Sequence, residues 1–159
     1  MKIVWKIIAT GFFIGFSPVA PGTVASILAS FFVFFLWQYR LIFFVTFSIF
    51  LLFGTFAADW MEKQLHKKDP SCVVVDEITG IFVTFTVMSF FIKSSFWYRI
   101  ISSFLLFRLF DIIKIWPINI LQRLKGGLGI MADDFVAGIF AGLTGTFFYY
   151  MVRLCGLSM

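Results

Sequence analysis

The sequence predicts an all-α fold: a compact integral membrane helical bundle with four or five short spans plus an N-terminal interfacial or re-entrant helix. Hydrophobic residues make up 61% of the chain and charged residues only 13%, about half the charged fraction of a typical soluble protein. Apolar runs occupy roughly residues 24–37, 41–58, 78–92, 96–113 and 135–152. No polar or proline-rich linker divides the 159 residues, so we expect a single membrane-embedded domain over 1–159.

The apolar runs are short for membrane spans, because a helix needs about 20 residues to cross about 30 Å of hydrocarbon. We therefore expect helix ends that extend into polar loops. The N-terminal stretch at 3–16 has the length and lysine flank of a cleaved signal peptide. It is followed by SPVAPGT at 17–23, where a small-residue cleavage site would be needed. We expect this stretch to lie in the membrane interface or to re-enter the membrane.

The formal net charge of +5 does not indicate a nucleic-acid partner, because the basic residues are scattered between apolar runs and form no basic stripe. They fit a membrane topology instead. With a cytoplasmic N-terminus and five spans, nine of the thirteen basic residues fall in the segments 1–23, 59–77 and 108–134. This excess follows the positive-inside rule and assigns these segments to the cytoplasm.

All eight carboxylates fall in the same three segments: Asp59, Glu62, Asp69, Asp76, Glu77, Asp111, Asp133 and Asp134. Acidic residues contribute little to topology, so this segregation needs another cause. We interpret it as a shared acidic site at the cytoplasmic membrane surface. The preferred interpretation of Asp59 and Glu62 is a solvated helix end with Lys63. Asp69 precedes a proline and is either a turn residue or a member of the site.

Two acidic pairs adjoin predicted helix starts. Asp76 and Glu77 come directly before the third apolar run, and Asp133 and Asp134 come directly before the fifth. Capping and the helix dipole explain one carboxylate at a helix start, and for the first pair alone this alternative stays open. Two pairs on one side of a bundle can meet and supply the hard oxygen ligands that Mg²⁺ or Mn²⁺ prefers. We therefore predict these four residues as metal ligands.

A stripe of alternating charge ends the fourth apolar run. Arg108, Asp111 and Lys114 lie within about 120° of one helix face at 100° per residue. The alternative to a functional role is an internal salt-bridge ladder. At the end of an apolar segment, however, ionisable residues usually mark a functional site. Arg108 and Lys114 suit phosphate oxygens, and Asp111 is a candidate catalytic carboxylate.

Two glycine-containing segments are weaker candidates for phosphate binding. The segment GFSPVAPGTVAS, residues 15–26, predicts a turn at its proline and glycine, after which Thr23 caps a helix whose N–H groups attract an anion. The segment GGLG, residues 126–129, gives a flexible backbone that can approach a phosphate, or only a loop. We place Thr23 and Gly127 beside the two cations of the stripe as candidate phosphate ligands.

Several phosphatase mechanisms are excluded by the residues they need. His66 is the sole histidine, so a mechanism that requires two is excluded. Cys72 and Cys155 have neither C-x-x-C spacing nor an arginine six positions later, and we expect both to be free thiols. The aspartyl-phosphate pattern D-x-D and the P-loop pattern are absent from the sequence. Metal-assisted hydrolysis remains, because it needs carboxylates, a divalent cation and nearby basic side chains.

Taken together, four segments resemble the phosphatidylglycerophosphatase A family. They are GFSPVAPGT (15–23), DPSCVVVDEITG (69–80), FRLFDIIKIWPI (107–118) and GGLGIMADDFVAG (126–138). The resemblance covers the chain from residue 11 to about 145. Ala25 stands where members often have glycine, and Ile115 where they often have proline. Neither departure removes a charge or a ligand.

The resemblance implies a Mg²⁺-dependent lipid phosphatase of the bacterial inner membrane that converts phosphatidylglycerophosphate to phosphatidylglycerol. By position it implies site residues Asp76, Glu77, Asp111, Asp133 and Asp134, with Arg108, Lys114 and Thr23 nearby. Alternatives are a phosphatase for phosphatidate or a polyprenyl phosphate, a small cation transporter, and a noncatalytic membrane subunit. The sequence alone gives no oligomeric state and no number of metal ions.

Overall fold

The structure is a computed structural model that describes residues 2–156, and every regular element within them is helical. The helices are α1 (Lys2–Ala9), α2 (Pro21–Leu36), α3 (Arg40–Leu65), α4 (Val75–Phe91), α5 (Phe96–Ile113), α6 (Ile118–Leu121) and α7 (Gly127–Leu154), with a 3-10 turn at Ile14–Phe16. This part of the chain contains no strand, so the predicted all-α class is confirmed. Each of the five apolar runs forms one helix: α2, α3, α4, α5 and α7.

The outer surface of the bundle is apolar. Helices α3 and α7, with 26 and 28 residues, are long and apolar enough to cross a bilayer. Large aromatic side chains face outward, including Phe31, Phe56 and Phe90, which are 59%, 63% and 82% exposed. Exposed apolar surface of this extent marks an interaction with a membrane or a partner. The protein is therefore membrane-associated, and the count of four or five spans stays a prediction.

The N-terminal helix lies at one end of the bundle. α1 has eight residues and is about 12 Å long, far less than the about 30 Å of hydrocarbon that a span must cross. The backbone turns back at Gly11, whose φ is +52°. The carbonyl of Ala9 accepts a hydrogen bond from the Val74 amide at 2.9 Å. α1 is thus too short to span the bilayer, and its interfacial or re-entrant position stays a prediction.

Helix α4 is the centre of the bundle, since eleven of its seventeen residues are buried. A helix that is apolar on all sides is stable only when neighbours surround it. The largest core cluster joins it to α2, α3, α5 and α7 through side chains such as Phe43, Phe82, Phe85 and Phe107. The Thr79 hydroxyl donates to the Val75 carbonyl at 2.8 Å, so this buried polar group is satisfied within the helix.

Glycines bring α7 close to α4. Gly138 and Gly142 are four residues apart on one face of α7, and a Cβ at Gly138 would lie 2.7 Å from the carbonyl oxygen of Gly80. A Cβ at Gly142 would lie 2.6 Å from the Cβ of Val87. Small residues at this spacing let two membrane helices approach at backbone distance. The seam fixes the rotation of α7 relative to α4.

Helix α7 begins earlier than the sequence predicted. Its first residue is Gly127, eight residues before the apolar run at 135, so Asp133 and Asp134 lie in the second turn and not at the helix start. The reason is packing. A side chain at Gly127 would overlap the Thr55 carbonyl of α3, so the glycines allow this contact and form a helix that their intrinsic propensity disfavours.

Helix α2 also begins earlier than expected. Pro21 is its first residue and Ala20 is the N-cap, so the proline and Gly22 are helical and do not form a separate turn. Proline is favoured at the first helical position because its missing N–H would have no intrahelical partner there. Thr23 therefore lies in the first turn and does not cap the helix.

The α4–α7 seam yields a stability prediction. Gly138→Ala places a methyl group against the Gly80 carbonyl, so we expect it to lower the free energy of unfolding by about 1–3 kcal/mol. The measurement is unfolding of purified protein in detergent. Leu143→Val on the same helix is the control, since Leu143 is 47% exposed. Equal stability of the two variants would contradict the close approach.

Candidate active site

A polar cavity of about 330 Å³ opens at the end of the bundle that holds the acidic residues. Four helices and one loop contribute side chains, from four separate segments of the chain: 20–23, 69–77, 108–114 and 134. Lining residues are Ala20, Pro21, Gly22 and Thr23 of α2 and its N-cap, Asp69, Ser71 and Val73 of the loop before α4, Asp76 and Glu77 of α4, Arg108, Asp111 and Lys114 at the end of α5, and Asp134 of α7. Seven of the nine predicted site residues therefore meet in one cavity.

Three carboxylates in this cavity form a cluster that fits a divalent cation. Asp76, Glu77 and Asp134 each offer one oxygen, and these oxygens lie within 4.8 Å of one another. Asp76 is 7% and Asp134 is 2% exposed. Among the described residues, Asp76 Oδ1 and Glu77 Oε2 are buried without a hydrogen-bond partner. Buried carboxylates without partners are costly, and an oxygen-only donor set of this kind is what Mg²⁺ prefers.

A glycine of α2 makes room for this cluster. A Cβ on Gly22 would overlap the Glu77 carboxylate and would lie 3.3 Å from Arg108 Nη1. The start of α2 therefore packs directly against both the acidic and the basic sides of the cavity. This role of Gly22 is not predicted from the sequence. The signal was its position between a helix-initiating proline and a predicted site threonine.

The stripe on α5 forms the basic side of the cavity. Arg108 Nη1 donates to Asp111 Oδ2 at 2.6 Å, and Lys114 Nζ lies 3.7 Å from Asp111 Oδ1. The stripe is thus a salt-bridge ladder, as one alternative held, and it also lines the cavity. Asp111 fixes both cations and leaves their remaining N–H donors available to an anion.

Asp133 takes a different partner from its neighbour. Its Oδ2 accepts from Lys114 Nζ at 2.7 Å, and it is not part of the three-carboxylate cluster. Asp133 and Asp134 project about 100° apart around α7, and here Asp133 turns to Lys114 while Asp134 turns to the cluster. Burial alone would lower the pKa of Lys114, but the hydrogen bond to Asp133 and the nearby carboxylates outweigh this and raise it.

A second cavity of about 340 Å³ adjoins the first. Asp69 lines both cavities, and Asp133 lines the second where Asp134 lines the first. The other residues around the second cavity are Glu62, Lys68, Gln122, Leu124, Gly129 and Ile130. Asp69, predicted as either a turn residue or a member of the site, thus lies between the two cavities.

The remaining predicted residues are placed as follows. Thr23 lines the first cavity. Gly127 does not, because it packs against the α3 backbone. Asp59 pairs with Lys63 at 2.6 Å, with the Lys63 side chain 72% exposed, which fits the predicted solvated helix end. Glu62 does not fit it, because its Oε2 is buried without a partner among the described residues and the residue lines the second cavity. Both cysteines are free thiols.

The Lys114–Asp133 pair yields a second stability prediction. Lys114→Met leaves the Asp133 carboxylate, whose side chain is 3% exposed, without its cation, and breaking a buried pair in this way costs about 3–5 kcal/mol. Lys63→Met at the exposed pair with Asp59 is the matched control and should cost about 0–1 kcal/mol. Unfolding in detergent measures both. Equal costs would show that the Asp133 carboxylate is hydrated.

Comparison with known proteins gives three relatives. A protein of Bacteroides thetaiotaomicron with the provisional name phosphatidylinositol-3-phosphatase is 38% identical over 142 residues, covering 85% of this chain and 87% of that one. Phosphatidylglycerophosphatase A of Escherichia coli is 33% identical, covering 85% of this chain and 77% of that one. The enzyme of the same name from Haemophilus influenzae is 32% identical, covering 85% of this chain and 82% of that one.

No solved structure matches the chain at the significance that these relatives reach. The sequence profile described as Phosphatidylglycerophosphatase A matches residues 7–149, which include all thirteen residues around the active-site cavity. The chain is a phosphatase of membrane lipid metabolism. It belongs to the phosphatidylglycerophosphatase A family.

Proposed function

We propose that the protein removes the terminal phosphate of phosphatidylglycerophosphate, giving phosphatidylglycerol and inorganic phosphate, and that it requires Mg²⁺. One observation carries this proposal. Two buried carboxylates and one half-buried carboxylate, with two oxygens unpartnered among the described residues, share a cavity with Arg108 and Lys114. A phosphomonoester needs this combination, since its oxygens bind both to a divalent cation and to basic side chains.

Asp76, Glu77 and Asp134 are the residues that would hold Mg²⁺. When bound, the ion supplies charge neutralisation at the phosphoryl oxygens and lowers the pKa of a coordinated water. Asp111 and Asp133 are positioning residues. They act on the phosphate only through the basic side chains that they hold, Arg108 and Lys114. Lys114 stays protonated at neutral pH, since its pKa is raised.

The substrate phosphate is proposed to lie between the cluster and the basic stripe. Arg108 and Lys114 donate to its oxygens and stabilise the charge that develops as the phosphorus–oxygen bond lengthens. Thr23, in the first turn of α2, places free backbone N–H groups beside the same oxygens. Water adds to phosphorus, the bond to the glycerol oxygen breaks, and a proton goes to that leaving oxygen.

The proposed location is the bacterial inner membrane, with the site facing the cytoplasm. The helices α2, α3, α4, α5 and α7 would form the spans. Loops of three and four residues, at 37–39 and 92–95, join helices at the end opposite the cavity. Nine of the thirteen basic residues lie in segments at the cavity end, which supports a cytoplasmic orientation.

Phosphatidylinositol 3-phosphate is a second candidate substrate, because a relative with 38% identity carries that activity in its name. The second cavity beside Asp69 gives additional room for an inositol ring. Phosphatidate and polyprenyl phosphates have no headgroup to fill this space. A cation transporter is disfavoured, because carboxylates of a transit pathway would be distributed through the membrane, and all eight lie toward one end.

Metal dependence is the first functional prediction. We expect EDTA to abolish phosphate release and Mg²⁺ to restore it. Asp134→Asn should lower activity by more than the about 10- to 100-fold cost of losing an outer-shell partner of a metal. Phosphate release from phosphatidylglycerophosphate in detergent micelles measures this. Asp59→Asn, at an exposed pair, is the control with unchanged activity. Full activity in EDTA would reject the metal mechanism.

Substrate preference is the second functional prediction. We expect kcat/KM for phosphatidylglycerophosphate to exceed that for phosphatidate by about ten-fold or more, because phosphatidate lacks the headgroup hydroxyl that finds a partner in a polar cavity. We also expect it to exceed that for phosphatidylinositol 3-phosphate. Parallel assays with the three lipids at matched acyl length measure this. A preference for the inositol lipid would select the second candidate instead.

A further inference from the structure

An apolar groove of about 300 Å³ runs along the outer surface between α2 and α5. Its lining residues are Ile27, Ser30, Phe31 and Phe34 of α2 and Trp97 and Ile100 of α5. The Ser30 hydroxyl donates to the Ser26 carbonyl at 2.9 Å, so the one polar side chain of the groove is already satisfied. The groove offers small and aromatic apolar surface and no charge.

The groove and the active-site cavity lie along the same helix seam. At the cavity end, the Cβ position of Gly22 is 3.3 Å from Arg108 Nη1. At the far end, the rings of Phe34 and Trp97 are 5.4 Å apart. Between these contacts α2 presents one continuous face to the seam. At 100° per residue, Thr23 in the cavity and Ile27, Ser30 and Phe34 in the groove lie within about 60°.

The dimensions of the seam match one leaflet of a bilayer. From Thr23 to Phe34, α2 rises about 16 Å, and half of the hydrocarbon thickness is about 15 Å. The polar end carries Arg108, which attracts a phosphate, and the remainder is apolar. A phospholipid whose phosphate lies in the cavity would therefore extend its acyl chain along the groove toward the bilayer centre.

We propose that the α2–α5 groove holds one acyl chain of the lipid substrate while the phosphate lies in the cavity beyond Gly22 and Arg108. This inference rests on the proposed function. It makes α2 the element that positions both parts of the lipid. The acyl chain is then held by the protein, and contacts in the groove help to position the scissile bond about three helical turns away.

The first test reads binding directly. The probe is phosphatidylglycerophosphate with a diazirine on one acyl chain, in phosphatidylcholine vesicles containing the wild-type protein. After illumination, we expect label on residues 27–34 and 97–100, displaced by excess unlabelled phosphatidylglycerophosphate but not by further phosphatidylcholine. Equal labelling of residues 44–53 of α3, or no displacement, would overturn the proposal.

The second test fills the groove. Ser30→Trp should lower kcat/KM about ten-fold for dioleoyl phosphatidylglycerophosphate and less than about two-fold for the dihexanoyl form, whose chains are too short to use the groove fully. Ser48→Trp is the matched control, because Ser48 lies in a similar apolar groove of about 290 Å³ on α3. Ser48→Trp should leave kcat/KM unchanged for both lipids. Equal kinetics of the two variants on the dioleoyl lipid would overturn the proposal.

The two tests separate this proposal from the proposed function. If the wild-type protein releases no phosphate from either lipid, the proposed function fails, and the crosslink positions still decide the groove because they need no turnover. If phosphate is released but the label is spread over all outer helices, the groove proposal fails alone. Should Ser30→Trp not fold, the wild-type labelling decides the question by itself.

Discussion

The confinement of three carboxylates to one small site is the constraint on which the rest of the structure depends. Asp76, Glu77 and Asp134 offer oxygens within 4.8 Å of one another, in surroundings that shield charge far less than water does. The C-terminal end of α5, with Arg108 and Lys114, lines the same cavity, and a divalent cation would supply the remaining neutralisation.

Close packing is what brings these charges together. Gly127 and Gly138 each occupy a point where a side chain would overlap a neighbouring backbone carbonyl, so α7 approaches α3 and α4 at backbone distance. Gly22 lets α2 pack directly on the Glu77 and Arg108 side chains. An error of about 1 Å in such an approach misplaces a catalytic group enough to cost about 100-fold in rate. The small residues of the bundle therefore determine the geometry of the site as much as the carboxylates do.

The sequence predicted the helices and most of the site, because charge stands out against an apolar chain and Arg108, Asp111 and Lys114 share a face at helical spacing. It did not predict that α7 starts at Gly127, since three glycines in four residues resemble a loop and only the α3 backbone makes them helical. Nor did it separate Asp133 from Asp134. Which of two adjacent residues faces a site depends on helix rotation, and tertiary packing sets that rotation.

The imbalance of charge in the active-site cavity has a consequence for the order of binding. Five lining carboxylates stand against two basic side chains, which gives a formal charge of −3 when all are ionised. A phosphate dianion is repelled by such a space, because like charges in a poorly screened cavity interact strongly. A cation held by the cluster would offset this charge, so we expect the cation to bind before the lipid phosphate and each to raise the affinity for the other. Loss of the cation would in turn weaken the binding of inorganic phosphate after hydrolysis.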